Sequence, residues 1–360
     1  MEDCGLPLRT ENGEVCSLEL IQIVGHQLWT VKAAYIEQTG GPEVIQFGEL
    51  QDPVPGAGEV LVRVGAASVN PIDTYTRGGM VAAELPLPFV VGSDLAGVVA
   101  AVGEGVSQWK TGDRVWGANQ GGQGRQGTAA ELACVGADWL HATPEGVSDE
   151  DAAAVALVGI TAHIGLVLRA KVVAGETIFV NGGAGGVGSM VVQISKALGA
   201  RVIATAGNDE RVEKAKSFGA DKVVNYKNDN VAARVLEWAP GGVDVLWETR
   251  RETDFDWAIS LLAKRGRMVV MAGRDARPVL PVGALYVKDC SVHGFAMFNY
   301  PAAEQRQCGD DINHWLAEGK LKANIDCVLP LSEAAAAHRL QEENTIGLAG
   351  TLSGKIVLKP

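Results

Sequence analysis

The sequence predicts an α/β protein in which a doubly wound parallel sheet, flanked by helices, is joined to a β-rich domain. Three observations carry that prediction. Short β-branched runs alternate with helical stretches between residues 176 and 296, the pattern of parallel strands linked by crossover helices. Before residue 149 the strand-like runs follow one another with only glycine and proline turns between them. At 360 residues the chain is also longer than one compact core organises, so two domains are expected.

Residues 1–30 have mixed polarity and form an N-terminal extension whose one patterned piece, Leu18 to Val24, suits a short strand or a helical turn. From Val31 the runs V-K-A-A-Y-I, V-I-Q-F-G-E-L and E-V-L-V-R-V-G-A-A-S-V read as strands split by G-G-P and D-P-V-P-G-A-G turns. Ser148, followed by Asp149, Glu150 and Asp151, reads as a helix N-cap with acids in the first turn. The β-rich domain is expected over 31–155 and is completed by 297–360, which ends in the strand G-K-I-V-L-K. Between them, 156–296 holds strands near Arg201 to Ala206, Lys222 to Asn225, Val243 to Trp247, Arg267 to Ala272 and Ser291 to Ala296. Helices over Asp209 to Phe218 and Asp254 to Lys264 separate them.

The segment E-T-I-F-V-N-G-G-A-G-G-V-G-S-M-V, Glu176 to Val191, runs from strand into a glycine-rich turn and then into a helix. Gly183, Gly185 and Gly188 satisfy G-x-G-x-x-G: the first allows a tight turn, the second lets the backbone approach a pyrophosphate, and the third lets helix pack on strand. A helix starting near Gly186 and Val187 aims its unpaired N–H groups at the phosphates. With the strand Arg201 to Ala206 this completes a βαβ unit, and a dinucleotide cofactor follows.

Composition narrows the rest. A net charge of −12, with no clustered cations, argues against nucleic acid. The six cysteines, at 4, 16, 134, 290, 308 and 327, form no C-x-x-C pair and read as reduced thiols. No basic leader precedes an apolar run and no membrane-length apolar segment is apparent, so a cytoplasmic protein without a membrane span is expected.

Several motifs together resemble the zinc-independent quinone oxidoreductases, the zeta-crystallin branch of the medium-chain dehydrogenase/reductase superfamily. They are A-A-S-V-N-P-I-D-T-Y-T-R-G-G (66–79), V-G-S-D-L-A-G-V-V-A-A-V-G (91–103), G-D-R-V-W (112–116), the A-G-G-V-G loop and V-V-N-Y (223–226). The resemblance covers Val31 to the end and implies a Rossmann cofactor domain beside a GroES-like catalytic domain. Zinc-dependent relatives hold their metal with a cysteine, a His-Glu pair and a further cysteine or acid. The matching segments here offer Asn70, Ser93 with Asp94, then Leu157 and Val158, which cannot assemble a soft or imidazole ligand set, so no metal is expected. His163, His293, His314 and His338 have no ligand spacing either. Without a Lewis acid the site suits conjugated acceptors, because a quinone or an electron-poor enone spreads the charge that hydride addition creates.

Carried over residue by residue, the resemblance puts Asn70 and Tyr75 beside the nicotinamide, with Asp73 and Arg77 bracketing them. The Tyr75 hydroxyl could donate to an acceptor oxygen, and an ordinary strand tyrosine at a domain interface is the alternative. Asn70 could equally be a turn residue before Pro71. Thr161 matches a threonine on the nicotinamide side, and Gly273, Phe295, Ala296 and Met297 match strand ends closing over the ring, though core packing would explain the apolar ones. Gly207, Arg211 and Tyr226 match the positions that cradle the cofactor's 2′-phosphate. The second strand ends A-T-A-G without the acid that NAD-preferring folds place there, which favours NADPH, while Asp209 and Glu210 beside that site oppose it. The expected activity is NADPH-dependent quinone reduction. A 2-alkenal or enoyl reductase and a non-catalytic NADPH-binding protein are the alternatives. A homodimer joined through the edge strand near C-S-V-H-G-F-A is the family expectation.

Overall fold

The computed structural model describes residues 30–81 and 84–360, so the Leu18 to Val24 expectation lies outside the described residues. A mixed sheet and a parallel sheet dominate the fold, with a small three-stranded sheet on the first. Strands β1 (Thr30–Ile36) and β2 (Gln46–Gln51) pair antiparallel, then β3 (Glu59–Val69) leads into helix α1 (Pro71–Arg77). After β4 (Phe89–Val90), which joins β1, come β5 (Asp94–Val102), β6 (Arg114–Gly117), β7 (Leu132–Gly136) and β8 (Leu140–Ala142). Ala67, Val69, Leu95 and Val99 are buried on one face of β3 and β5, and Ala66 and Ala96 on the other, so this part of the sheet is covered on both sides.

Helix α2 (Asp149–His163) starts at Ser148, whose hydroxyl accepts from the Asp151 N–H. From Ala152 to His163 every residue is buried, because α2 packs on β3, β5 and β6 and also on the helix of the glycine loop. Including its π-helical extension, Asp149–Arg169 is long and apolar enough to cross a membrane, yet 83% of that window is buried inside the protein. Thr161 and His163 interrupt the apolar run, so the stretch does not stand out in the sequence as one of membrane length. It is a core helix, apolar all round because every side is covered.

The parallel sheet is built from β9 (Thr177–Asn181), α3 (Gly186–Ala197), β10 (Arg201–Ala206), α4 (Asp209–Ser217), β11 (Lys222–Asn225), α5 (Val231–Trp238), β12 (Val243–Glu248), α6 (Phe255–Leu261), β13 (Leu262–Val270), α7 (Val282–Val287) and β14 (Ser291–Gly294). Its order is β11-β10-β9-β12-β13-β14, all parallel, so the direction of winding reverses between β9 and β12. Boundaries move from the sequence expectation, most of all in β13, which runs over Leu262–Val270 where Arg267 to Ala272 is expected. Helix α6 stops at Leu261 because Leu262 is already extended, and β14 stops at Gly294, the last residue opposite Val270.

The tail supplies α8 (Ala302–Ala317), β15 (Ile325–Pro330), α9 (Ala334–Thr345) and β16 (Lys355–Lys359). Strand β16 pairs antiparallel with β3, so the last residues of the chain complete the first sheet.

Candidate active site

The glycine loop leaves β9 at Asn181 and turns at Gly182, whose φ is +92°. A Cβ on Gly183 would lie 2.6 Å from the Ala204 methyl, and one on Gly188 only 2.0 Å from the Gly182 carbonyl oxygen. Both glycines are therefore required by the protein's own packing. Gly185 differs: its backbone is extended, and a Cβ there would meet nothing nearer than 3.6 Å. The space beside Gly185 suits an outside group close to the backbone, which is the fit a pyrophosphate needs. Helix α3 begins at the next residue and presents the unpaired N–H groups of its first turn, from Gly186 and Val187 onward, to the same place.

Beneath the loop, at the winding reversal, three strand ends are tied by hydrogen bonds. Thr205 Oγ1 donates to Asn181 Oδ1 at 2.8 Å, and Asn181 Nδ2 donates to the buried Glu248 carboxylate at 3.0 and 3.1 Å. Arg250 closes the chain on Glu248 at 2.8 Å. The Glu248 carboxylate thus holds the crevice floor together.

The other residues expected around a dinucleotide follow the carboxyl ends of the same sheet. Gly207 follows β10 and Tyr226 follows β11, and a Cβ on Gly207 would be 2.3 Å from the Tyr226 hydroxyl. Asp209 turns toward Asn225, whose Nδ2 donates to it at 3.0 Å, which removes part of the repulsion expected beside an anion. Arg211 does not stand free: its Nη2 donates to the Gly350 and Leu352 carbonyls, each at 2.7 Å. Gly273 follows β13 with φ +83°, and a Cβ there would strike the Arg251 carbonyl at 2.1 Å. Phe295, Ala296 and Met297 follow β14. Phe295 meets Trp247 edge-on at 6.3 Å, Ala296 is exposed and Met297 is buried. Thr161 is buried in α2, on the helix that packs against α3.

Tyr75 lies in α1 and not in a strand. Asn70 is its N-cap, extended before Pro71 as the proline demands, and the Asp73 carboxylate accepts from the Asn70 N–H at 2.7 Å. Tyr75 is half-buried, and burial raises its hydroxyl pKa against the lowering charges of Arg251 and Arg274. Asn70 and Asp73 stand behind it, at 0% and 4% exposure, and not on the cleft surface. Asn70 Nδ2 donates to Asp94 at 2.8 Å, Ser68 Oγ donates to the same oxygen at 2.8 Å, and Ser93 Oγ donates to Asp73. Arg77 turns away, its buried guanidinium paired with the partly exposed Glu342. Burial raises both carboxyl groups, Asp73 to about 7.

A buried cation completes this cluster, and sequence reasoning missed it. Lys355, 4% exposed in β16, donates to the Val69 carbonyl at 2.9 Å and to Asn70 Oδ1, with Asp94 at 3.6 Å. Its only signal in the sequence is a lysine opening the apolar run of the last strand. Among the described residues, no three His, Cys, Asp or Glu side chains are grouped to hold a metal ion.

Two family models match: the alcohol dehydrogenase GroES-like domain over residues 56–145 and the zinc-binding dehydrogenase over residues 186–312. Human quinone oxidoreductase is 32% identical over 330 residues, 91% of this chain and 97% of its own. The chain belongs to the quinone oxidoreductase family. Among solved structures, the Escherichia coli quinone oxidoreductase complexed with NADPH is 29% identical, covers 92% of this chain and 99% of its own, and superposes with a TM-score of 0.77. An NAD-dependent alcohol dehydrogenase is 32% identical, covering 91% of this chain and 99% of its own at a TM-score of 0.81. Membership in the quinone oxidoreductase family fits both sheets seen here, the GroES-like and the Rossmann one.

Proposed function

We propose that the protein is an NADPH-dependent quinone reductase that works without zinc. The observation that carries the reading is the crevice at the carboxyl ends of the parallel strands. There Gly185 leaves its backbone open beside the start of α3, and Tyr75 faces the segments that follow β12 and β13. NADPH, when bound, supplies the hydride. The chain's part is to orient and to donate: Gly273 and Phe295 to Met297 close one side, Thr161 stands on α2, and Tyr75 lines the other. The Tyr75 hydroxyl, whose pKa burial raises, can donate to an acceptor oxygen as charge develops there. A conjugated acceptor delocalises that charge, so positioning and one hydroxyl suffice.

Zinc independence is supported by the donor set. Asn70 and Asp94 already face the Lys355 ammonium, which would repel a second cation at contact distance, and the Ser93 hydroxyl is taken up by Asp73. NADPH over NADH is supported by Gly207 in place of an acid, with Tyr226 beside it; Arg211 and Lys214 on the adjoining helix would have to leave the Gly350, Leu352 and Ser353 carbonyls to reach a 2′-phosphate. Steady-state oxidation of NADPH and of NADH with a panel of quinones and 2-alkenals tests the whole reading. Turnover with quinones and NADPH is expected. Saturation by 2-alkenals alone would replace quinone by enone as the substrate class, and cofactor binding without any turnover would leave a non-catalytic binding protein.

We infer that the protein forms a homodimer through β14. That strand ends the parallel sheet, and the adjoining helix α7 buries none of its residues, leaving Val282 61%, Tyr286 68% and Val287 69% exposed. Light scattering is expected to give twice the chain mass, and a monomer at micromolar concentration would refute the interface.

A further inference from the structure

Lys355 sits where three parts of the molecule meet. Its ammonium reaches the Val69 carbonyl and the Asn70 amide oxygen at the root of α1, and lies 3.6 Å from Asp94 on β5. Its stem passes the glycine loop, with Cδ 3.6 Å from where a Gly186 Cβ would stand. Its own N–H donates at 2.7 Å to the Asn324 carbonyl, and Asn324 in turn donates at 2.9 Å to the Ala184 carbonyl inside that loop. A covered ammonium costs several kcal/mol to desolvate, and an apolar side chain of similar size commonly packs such a site with no loss of stability. The arrangement therefore calls for a role other than stability.

We propose that Lys355 is a positioning residue for hydride transfer, holding Asn70 and the start of α1 in register with the glycine loop. The Asn70 amide is oriented from both ends, its oxygen by Lys355 and its Nδ2 by Asp94. Asn70 is the N-cap of a helix of only 7 residues that carries Tyr75 one turn further on, and its backbone N–H and carbonyl bond the Asp73 carboxylate and N–H, so the place where Asn70 is held sets where the Tyr75 hydroxyl stands. A cation at this point does for the catalytic wall what a metal with protein ligands would do, fixing groups from several strands around one charge, while leaving the cleft surface to Tyr75. The acids that face the ammonium are Asp94 on β5 and Asp73 on α1.

The inference rests on the reductase reading, and the experiment separates the two. Three forms of the full chain are compared: wild type, Lys355→Met and the double variant Lys355→Met/Asp94→Asn. The readouts are melting temperature, kcat at saturating NADPH with a quinone the wild type reduces, and the primary isotope effect with NADPH deuterated at the transferred position. Lys355→Met leaves a buried carboxylate unpaired and is expected to lose stability. The double variant removes that charge, keeps an acceptor for Asn70 Nδ2, and is expected to regain the melting temperature. Its kcat should still fall roughly tenfold or more, with a larger isotope effect, because misplacement slows the transfer step itself. A double variant that recovers kcat together with stability would show that Lys355 only balances buried charge, and would overturn the proposal alone. A wild type inactive with every quinone and enone would overturn the reductase reading and this inference with it.

Discussion

Gly185→Val is expected to leave the melting temperature unchanged and to weaken NADPH binding roughly a hundredfold, about 2.7 kcal/mol. The backbone of Gly185 is extended and accepts any residue, and a Cβ there meets only the Gly182 carbonyl oxygen, at an ordinary 3.6 Å. The isopropyl group would instead stand where the pyrophosphate has to approach the chain. Gly188→Val is the contrasting case. Its Cβ would fall 2.0 Å from the Gly182 oxygen, 2.9 Å from that carbonyl carbon and 3.2 Å from the Gly183 Cα, all backbone that no rotamer change can move. Overpacking of this kind costs about 1–3 kcal/mol or more, so that variant should lose both stability and cofactor. Calorimetry and fluorescence titration on the two proteins give the comparison. A Gly185→Val protein that binds NADPH as tightly as the wild type would mean that the phosphates do not lie on this loop.

That distinction between two glycines of one motif marks how far the sequence could be read. Local signals were legible: the glycine spacing, the strand ends at Ala206 and Asn225, and the Ser148 cap all appear where the pattern puts them. The helix carrying Tyr75 was legible too, in hindsight of its chemistry, since Asn70, Pro71 and Asp73 are an N-cap, a first-turn proline and an acid at the third position. The preceding strand run through Val69 masked it. Other features are set by distant residues and leave no local trace. Lys355 and Asn70 are 285 positions apart, and Asn181 and Glu248 meet only because the sheet reverses its winding between β9 and β12. Trp247 lies against Gly165 and Phe295, so the orientation of a ring expected at the cofactor depends on a bulge in another helix. Sequence periodicity reports which face of an element is covered, but not what covers it.

Asp73→Asn is expected to steepen the fall of stability on acidification, by removing the cost of an ionised Asp73 at neutral pH, and the sign follows from which state holds the proton. Burial lowers His141 and His338 from 6.5 to about 3, helped by the charges of Arg306 and Arg77 respectively. The unfolded chain therefore binds two more protons than the folded one between those values, and these histidines cost stability as pH falls from 6.5 toward 3. Asp73 works the other way. Burial, with the neighbouring Asp94 charge, raises it from 3.8 to about 7 despite the Ser93 hydroxyl and Lys355, so the folded chain holds a proton there that the unfolded chain has released. Its contribution is full below 3.8 and disappears as pH rises through 7, offsetting one histidine across the interval where both act. Removing the Asp73 titration should steepen the loss on acidification by about 1.4 kcal/mol per pH unit between roughly pH 4 and 7. Urea unfolding of both proteins across that range measures it, and parallel stability curves would refute the assignment of the proton to Asp73. The same proton explains how three ionisable groups share one covered site. With Asp73 neutral, the Asp94 carboxylate and the Lys355 ammonium balance. Once Asp73 ionises, the cluster behind Tyr75 carries an uncompensated charge with no water to disperse it.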